Sequence, residues 1–136
     1  MENQRITVLV VEPGKVPEVK KIRGLGDMQK IVGGIIQPLY PFEDEVALVV
    51  NDEGKLLGLP MNRELRNEEG VCYDIVCGTF FIVGAPVEYD HFTSLTEEQV
   101  QRYSLLFAMP RTFLCVDGDI IILPYNKSLE GSGNEG

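Results

Sequence analysis

The sequence VALVVNDEGKLLGLPMNR, residues 46–63, decides how this chain can fold. It begins with five apolar residues, a pattern typical of a buried strand. The run NDEG at residues 51–54 favours a hairpin turn, because Asn, Asp and Gly readily adopt turn conformations. Residues 56–59 are therefore predicted to return as a partner strand. The polar residues 60–70 are predicted to form an irregular segment, possessing at most one helical turn.

Apolar runs on either side of this stretch extend the predicted sheet. Residues 73–83, YDIVCGTFFIV, predict one long strand in which Gly78 marks a bulge or a close backbone approach. Residues 6–11 predict a buried strand, and residues 16–22 an edge strand beside it. Residues 35–40 are a further strand candidate.

Two segments carry the signals of helix ends. Asp27 is placed to begin a short helix that Gly33 ends, since glycine accepts the left-handed conformation after a helix. Thr96 and Gln99 have the spacing of a capping box, which predicts a second helix that ends at Pro110.

A last hairpin completes the predicted fold. Asp117 and Gly118 separate two apolar runs, a strong signal for a tight turn. The pattern as a whole predicts an α+β fold: a single domain with a mixed, mostly antiparallel sheet of about six to eight strands and two helices. We expect this domain to span residues 1–125, followed by a flexible tail at residues 126–136, where apolar periodicity is lost.

Composition narrows the class of protein and its partners. Of 136 residues, 44% are apolar and 24% charged, as in soluble globular proteins. The formal net charge of −9 argues against direct binding of nucleic acid or of an anionic membrane. Three cysteines without metal-site spacing, and no long apolar segment, favour a reducing cytoplasm. No cofactor and no metal site are expected.

No catalytic residue can be assigned from the sequence, so a non-enzymatic role is favoured. His91 is the single histidine, and no nucleophile motif or phosphate-binding glycine loop is present. Acid–base catalysis by Asp74, Glu53 or His91 is an open alternative.

The predicted ligand site centres on Asn62 and Arg63, which follow the stiffening Pro60. Asparagine offers a donor and an acceptor, and arginine a planar fork that suits phosphate or carboxylate. Hydrogen bonding within a loop, or an ion pair with a neighbouring glutamate, would explain the same pair without a ligand. The remaining predicted ligand-binding residues are Asn51, Glu53, Gly78 and Thr79, although Asn51 and Glu53 also suit a simple turn.

Residues 51–63 and 73–84 together resemble a family of short uncharacterised proteins of bacteria, phages and mobile elements, known only as a domain of unknown function. Residues 6–14 and 29–34 are also similar to it, so the resemblance extends to about residue 125. It implies an accessory role on a phage or mobile element and supplies no catalytic assignment.

Three hypotheses therefore stand side by side. The first is an accessory protein that binds a small anionic ligand, such as a nucleotide, or sequesters a host signal. The second is an acidic interaction module that acts on a host protein. The third is an enzyme of unknown reaction. A homodimer is also expected, because small sheets often have exposed edges that a second copy can cover.

Overall fold

The computed structural model describes residues 4–125. In chain order, its elements are β1 (Ile6–Val11), β2 (Glu18–Ile22), α1 (Gly24–Val32), β3 (Ile36–Leu39), β4 (Val46–Asn51), β5 (Met61–Arg66), β6 (Cys72–Cys77), β7 (Phe80–Gly84), α2 (Glu97–Leu106), β8 (Arg111–Val116) and β9 (Asp119–Pro124). The α+β class and the two helices agree with the sequence-based prediction.

The core is an antiparallel sheet of five strands in the order β2-β1-β7-β4-β3. Its three inner strands are nearly continuous apolar runs because both of their faces are covered. On one face, Met28 and Val32 of α1 pack against residues such as Phe81. As predicted, β2 is an edge strand beside β1.

The other face of the sheet is covered by the β5–β6 hairpin and by α2. Leu65 and Val76 of the hairpin pack in one cluster with Tyr103 of α2 and with Phe107, which directly follows the helix. The hairpin is a separate two-stranded sheet, antiparallel like the first. The molecule is therefore layered: α1 lies on one side of the five-stranded sheet, and the β5–β6 hairpin and α2 together form the layer on the other side.

Two of the four predicted helix ends are confirmed. The predicted end of the second helix at Pro110 is wrong, because α2 ends at Leu106. Thr96 and Gln99 form the capping box at the start of α2. Gly33 ends α1 with a φ of 80°. The start of α1 differs, because the helix begins at Gly24 and the Asp27 carboxylate accepts a hydrogen bond from the Arg23 backbone N–H at 2.7 Å.

The predicted hairpin at residues 46–59 is wrong. After β4 the chain coils through helical turns, in which the Leu57 N–H donates to the Glu53 carbonyl at 2.8 Å. Gly54 is buried at this point, and a Cβ there would lie 2.7 Å from the Cys77 carbonyl oxygen. The next strand is β5, so the prediction of an irregular segment at residues 60–70 is also wrong.

The predicted long strand at residues 73–83 is two strands of different sheets. The chain breaks at Gly78, whose φ of +90° leaves the extended region. β6 pairs with β5, whereas β7 enters the central sheet between β1 and β4. The central sheet consequently has five strands, not six to eight.

The predicted hairpin at the end of the described chain is confirmed. β8 and β9 pair antiparallel across Asp117 and Gly118, which have φ values of 52° and 86°. This hairpin is a third, two-stranded sheet. The predicted tail at residues 126–136 lies outside the described residues, and the single-domain boundary stays a prediction.

The end of β7 provides a sharp test of this packing. A Cβ on Gly84 would lie 2.8 Å from the carbonyl oxygens of both Thr93 and Ser94, so Gly84→Ala is expected to destabilise the protein by about 1–3 kcal/mol. The matched control is Gly26→Ala within α1, where no atom lies within 4 Å; it should stabilise by up to about 1 kcal/mol. Urea unfolding of both variants measures the difference, and equal effects would contradict the packing at Gly84.

Candidate functional site

Arg63 of β5 is buried, with 2% of its surface exposed, and its hydrogen bonds join three parts of the fold. Its Nε and Nη2 donate to the Phe107 carbonyl oxygen at 3.2 and 3.0 Å. Nη2 also donates to the Lys15 carbonyl oxygen at 2.6 Å, in the turn between β1 and β2. Nη1 donates to Oδ1 of Asn62 at 2.8 Å. The guanidinium therefore ties β5 to the end of α2 and to the β1–β2 turn.

Asn62 makes a second set of buried hydrogen bonds. Asn62 is 1% exposed, and its Nδ2 donates to the carbonyl oxygens of Val11 at 2.8 Å and Gly78 at 2.9 Å. The amide therefore anchors β5 to the end of β1 and to the break between β6 and β7. An asparagine on a strand is tolerated here because its donor and its acceptor are both satisfied.

The expectation that Asn62 and Arg63 stand in the open on a loop is wrong. Both lie on a strand and are buried, and all three guanidinium nitrogens of Arg63 donate to protein oxygens. The internal alternative that the sequence left open describes them better, although their partners are carbonyl oxygens and an amide rather than glutamates. Their predicted role as direct ligand contacts has no support in this geometry.

The other predicted site residues fall into two places. Asn51 is buried and donates from Nδ2 to the Val32 carbonyl at 3.0 Å, while its Oδ1 accepts from the Glu53 N–H at 2.7 Å. Glu53 is exposed, and the hydrogen bond between its N–H and the Asn51 side chain stabilises the turn that follows β4. Gly78 lies beside Asn62, and Thr79 follows it half-buried.

A small groove lies on the outer side of Arg63, and we call it the arginine groove. Its volume is about 130 Å³. Its charged lining comes from β5 and the start of β8, and its apolar lining mainly from the end of α2 and the residues just after it. The lining residues are Phe42, Arg63, Glu64, Leu65, Arg66, Leu106, Phe107, Met109 and Arg111.

Glu64 is the one acidic group of the arginine groove, and two arginines share it. Arg111 donates from Nε to Oε1 at 3.2 Å and from Nη2 towards Oε2 at 3.1 Å. Arg66 donates from Nε to Oε2 at 3.3 Å and from Nη1 to the Gly70 carbonyl at 2.8 Å. Three guanidinium groups thus surround one carboxylate, a local surplus of positive charge in a chain of net charge −9.

The pKa values record this electrostatic setting. Burial, together with the nearby charge of Arg111, lowers the pKa of Arg63 to about 10, although Glu64 opposes the change. Burial alone would raise the pKa of Glu64, but hydrogen bonding to its own backbone and the charges and hydrogen bonds of Arg111 and Arg66 bring it below its ordinary value. Arg63 and Glu64 are therefore both charged at neutral pH.

Arg66 and Arg111 are the groove residues that the sequence analysis missed. The side chains of Arg66 and Arg111 are 47% and 28% exposed, unlike the buried Arg63. Recognition of residues 61–66 as a strand would have placed Glu64 and Arg66 on one face, because side chains alternate along a strand. Arg111 had no local signal, since it meets Glu64 across 47 positions of sequence.

A wider depression of about 630 Å³ adjoins the arginine groove and shares Phe42 and Arg66 with it. Its other lining residues include the exposed ring of Tyr73 and the side chain of Asn67. Three acidic residues also border it: Glu43, Glu68 and Glu69. A ligand that fills both spaces would meet arginines at one end and carboxylates at the other.

The described residues, 4–125, contain a histidine, cysteines and many carboxylates that bear on other kinds of chemistry. No group of His, Cys, Asp or Glu in that range could hold a metal ion. His91 is exposed, stacks on Tyr89 at 5.3 Å between ring centroids and contacts Asp90. No helix in the same range is long and apolar enough to cross a membrane.

Comparison with known proteins gives one result. The profile of a family described as a domain of unknown function, DUF3846, matches residues 6–108. No curated protein and no solved structure gives a significant match. The match covers both helices and the strands β1 to β7, and therefore includes Glu64 and Arg66 but not Arg111.

The buried hydrogen bonds of Arg63 predict that its removal strongly destabilises the fold. Arg63→Ala should lower the free energy of unfolding by about 3–5 kcal/mol, because it removes the donor of two buried oxygens and of the partly buried Lys15 carbonyl. Arg66→Ala is the control, and its half-exposed side chain should cost less than about 1 kcal/mol. Urea unfolding at neutral pH compares the two; similar losses would contradict the structural role of Arg63.

The depressed pKa of Glu64 predicts a specific dependence on pH. A carboxyl group whose pKa is lower in the folded state stabilises the fold above its unfolded pKa and loses that effect as the pH falls through the folded value. Glu64→Gln should therefore be less stable than wild type at about pH 6, and this difference should shrink towards about pH 3. Unfolding curves across that range measure it, and a difference that grows on acidification would refute the assignment.

Proposed function

The chain belongs to the DUF3846 family, a domain of unknown function, and we propose that it is a non-enzymatic binding protein whose arginine groove holds the anionic group of a small ligand. One observation carries the proposal: Arg66 and Arg111 remain partly exposed while they share the single carboxylate of Glu64. Each arginine retains a terminal nitrogen, Nη2 of Arg66 and Nη1 of Arg111, that can donate to an oxyanion.

The groove is built to hold its arginines still. Glu64 engages Arg111 through both carboxylate oxygens, and Arg66 is also held by the Gly70 carbonyl. Fixed donors lose little conformational entropy when a ligand arrives, which favours affinity. The buried charge of Arg63 behind them adds to the positive potential, since its contacts with carbonyl oxygens do not neutralise it.

The surroundings favour a ligand with one anionic group and a flat polar ring. The groove has room for a single phosphate or carboxylate group, and the adjoining depression offers the ring of Tyr73 for stacking and the Asn67 Nδ2 as a donor, since the Asn67 Oδ1 already accepts from backbone N–H groups. Glu68 and Glu69 would repel further phosphates on that side. These features support a nucleoside monophosphate more than a triphosphate.

A role in sequestration suits such a protein. The resemblance to proteins of phages and mobile elements supports an accessory function, in which the protein withdraws a host nucleotide signal in the cytoplasm. No residue of the arginine groove resembles a general acid or base beside a nucleophile. The groove is accordingly suited to bind rather than to transform its ligand.

A second function, an acidic module that binds a host protein, is favoured by a different surface. A depression of about 540 Å³ is bordered by Glu43, Glu45 and Asp90, together with the exposed rings of Tyr40 and Tyr89. Such a surface suits a basic segment of a partner. Binding there would weaken as salt is raised and would not depend on Arg66.

Calorimetry with the four ribonucleoside monophosphates, the matching triphosphates and inorganic phosphate tests the first function. At least one monophosphate should bind more tightly than its triphosphate. Arg66→Gln should weaken that binding about tenfold, because one charge-assisted hydrogen bond is lost.

Arg102→Gln is the matched control for this experiment. Arg102 is 46% exposed, close to the 47% of Arg66, and it also pairs with a carboxylate, that of Asp44. It lies outside the arginine groove, so its loss should leave binding unchanged. No heat from any compound, or equal effects of the two variants, would reject the arginine groove as the ligand site.

A further inference from the structure

The β8–β9 hairpin is apolar on both of its faces. The register pairs Leu114 with Ile121 and Cys115 with Ile120, and successive pairs point to opposite faces. Leu114, Ile120 and Ile121 are 41–42% exposed, and Val116 is 46% exposed. A hairpin that stood permanently in water would have at least one polar face, so this pattern indicates a surface that becomes covered.

The hairpin also has an open strand edge. β9 pairs with β8 and is not part of either of the other sheets. The other strand, β8, is anchored at its start, where Arg111 reaches Glu64 of β5. A two-stranded sheet is only marginally stable in water, and an apolar strand edge without charges readily pairs with another strand.

We propose that a second copy of this chain covers the hairpin, with β9 of one copy paired antiparallel to β9 of the other in a symmetric dimer. The two hairpins would then form one four-stranded sheet. No residue of β9 lines the arginine groove, so the strand pairing does not require that groove, although Tyr73 borders both the wider depression and the groove beside the hairpin.

Charge argues for a second copy as the partner. Two chains of net charge −9 repel each other over most of their surfaces. Between Thr112 and Leu123, however, the charged residues are only Asp117 and Asp119, both at the turn. The strands of the hairpin are therefore a surface on which identical acidic chains can meet. A basic partner would find little there to attract it.

A two-fold register keeps even those aspartates apart. If the symmetry axis passes between the two Ile121 residues, which then lie opposite each other, Asp119 of one copy falls opposite Leu123 of the other. The two Asp119 residues are then about 13 Å apart at roughly 3.3 Å per residue. That separation exceeds the screening length of about 8 Å at physiological salt. Pro124, which lacks an N–H, falls at the end of the paired segment, where its missing donor matters least.

A neighbouring groove adds apolar surface to the same interface. It has a volume of about 620 Å³ and is lined by residues that include Leu59, Met61, Tyr73 and Ile120. Because Ile120 belongs to both the groove and the hairpin, the two form a continuous apolar surface. A second copy can therefore bury more than a strand edge, as a stable dimer requires.

Light scattering coupled to size-exclusion chromatography, with the full chain over a hundredfold range of concentration, tests the proposal. We expect a dimer that dissociates on dilution. Ile121→Lys should raise the dissociation constant at least about tenfold, since it sets two like charges near the symmetry axis. The matched control is Val19→Lys, on the exposed edge strand β2, where Val19 is 50% exposed; it should leave the dimer intact.

Hydrogen exchange of the wild-type chain provides a readout that does not depend on a folded variant. The β9 amides should exchange more slowly at high than at low protein concentration, whereas β2 amides should not change. A monomer at every concentration would overturn the proposal. A dimer that Val19→Lys dissociates, or one without concentration-dependent protection of β9, would overturn it as well.

Discussion

The buried guanidinium of Arg63 makes the hydrogen bonds on which the layer formed by the β5–β6 hairpin and α2 depends. Removing an arginine side chain from water is costly unless its donors are satisfied, and here they are satisfied mainly by the backbone carbonyls of Lys15 and Phe107. The donor lies on β5, and the two acceptors lie in the β1–β2 turn and just after α2, so the hydrogen bonds join three different parts of the chain. The hairpin, the end of α2 and the β1–β2 turn can therefore reach their positions only together, which makes the layer cooperative.

The choice of acceptors has an electrostatic consequence. Carbonyl oxygens satisfy hydrogen-bond donors without cancelling charge, so Arg63 keeps a positive charge inside the fold and Arg111 lies close enough to lower its pKa. Glu64 is the single nearby carboxylate, and Arg66 and Arg111 also use it. The interaction that assembles the layer thus also leaves it with more positive than negative charge, and the arginine groove opens where that surplus meets solvent.

The sequence predicted the parts of this fold that depend on local chemistry. The capping box at Thr96, the left-handed glycine at Gly33 and the turn at Asp117 each involve residues close together in the chain, and each is present. β5 was missed because its polar residues suggested a loop. Asn62 and Arg63 are buried only because acceptors 44 to 51 positions away satisfy them. No local pattern reports such partners, so the sequence placed the candidate site on two residues that the fold buries and did not point to Arg66 and Arg111.

The net charge of the chain disfavours anion binding, whereas the local charge of the arginine groove favours it. The two effects are compatible because electrostatic interactions weaken with the distance between charges. A formal charge of −9, spread over the whole chain, opposes the approach of a polyanion such as nucleic acid, which extends over many charges. A single phosphate held in the arginine groove, as we propose, would accept hydrogen bonds from two guanidiniums, whereas charges farther away than about 8 Å are screened by salt. Nearby charges then dominate its energy. An acidic protein can therefore reject polyanions and still bind a small anion; in the proposed site, the glutamates around the wider depression would limit the ligand to one charged group.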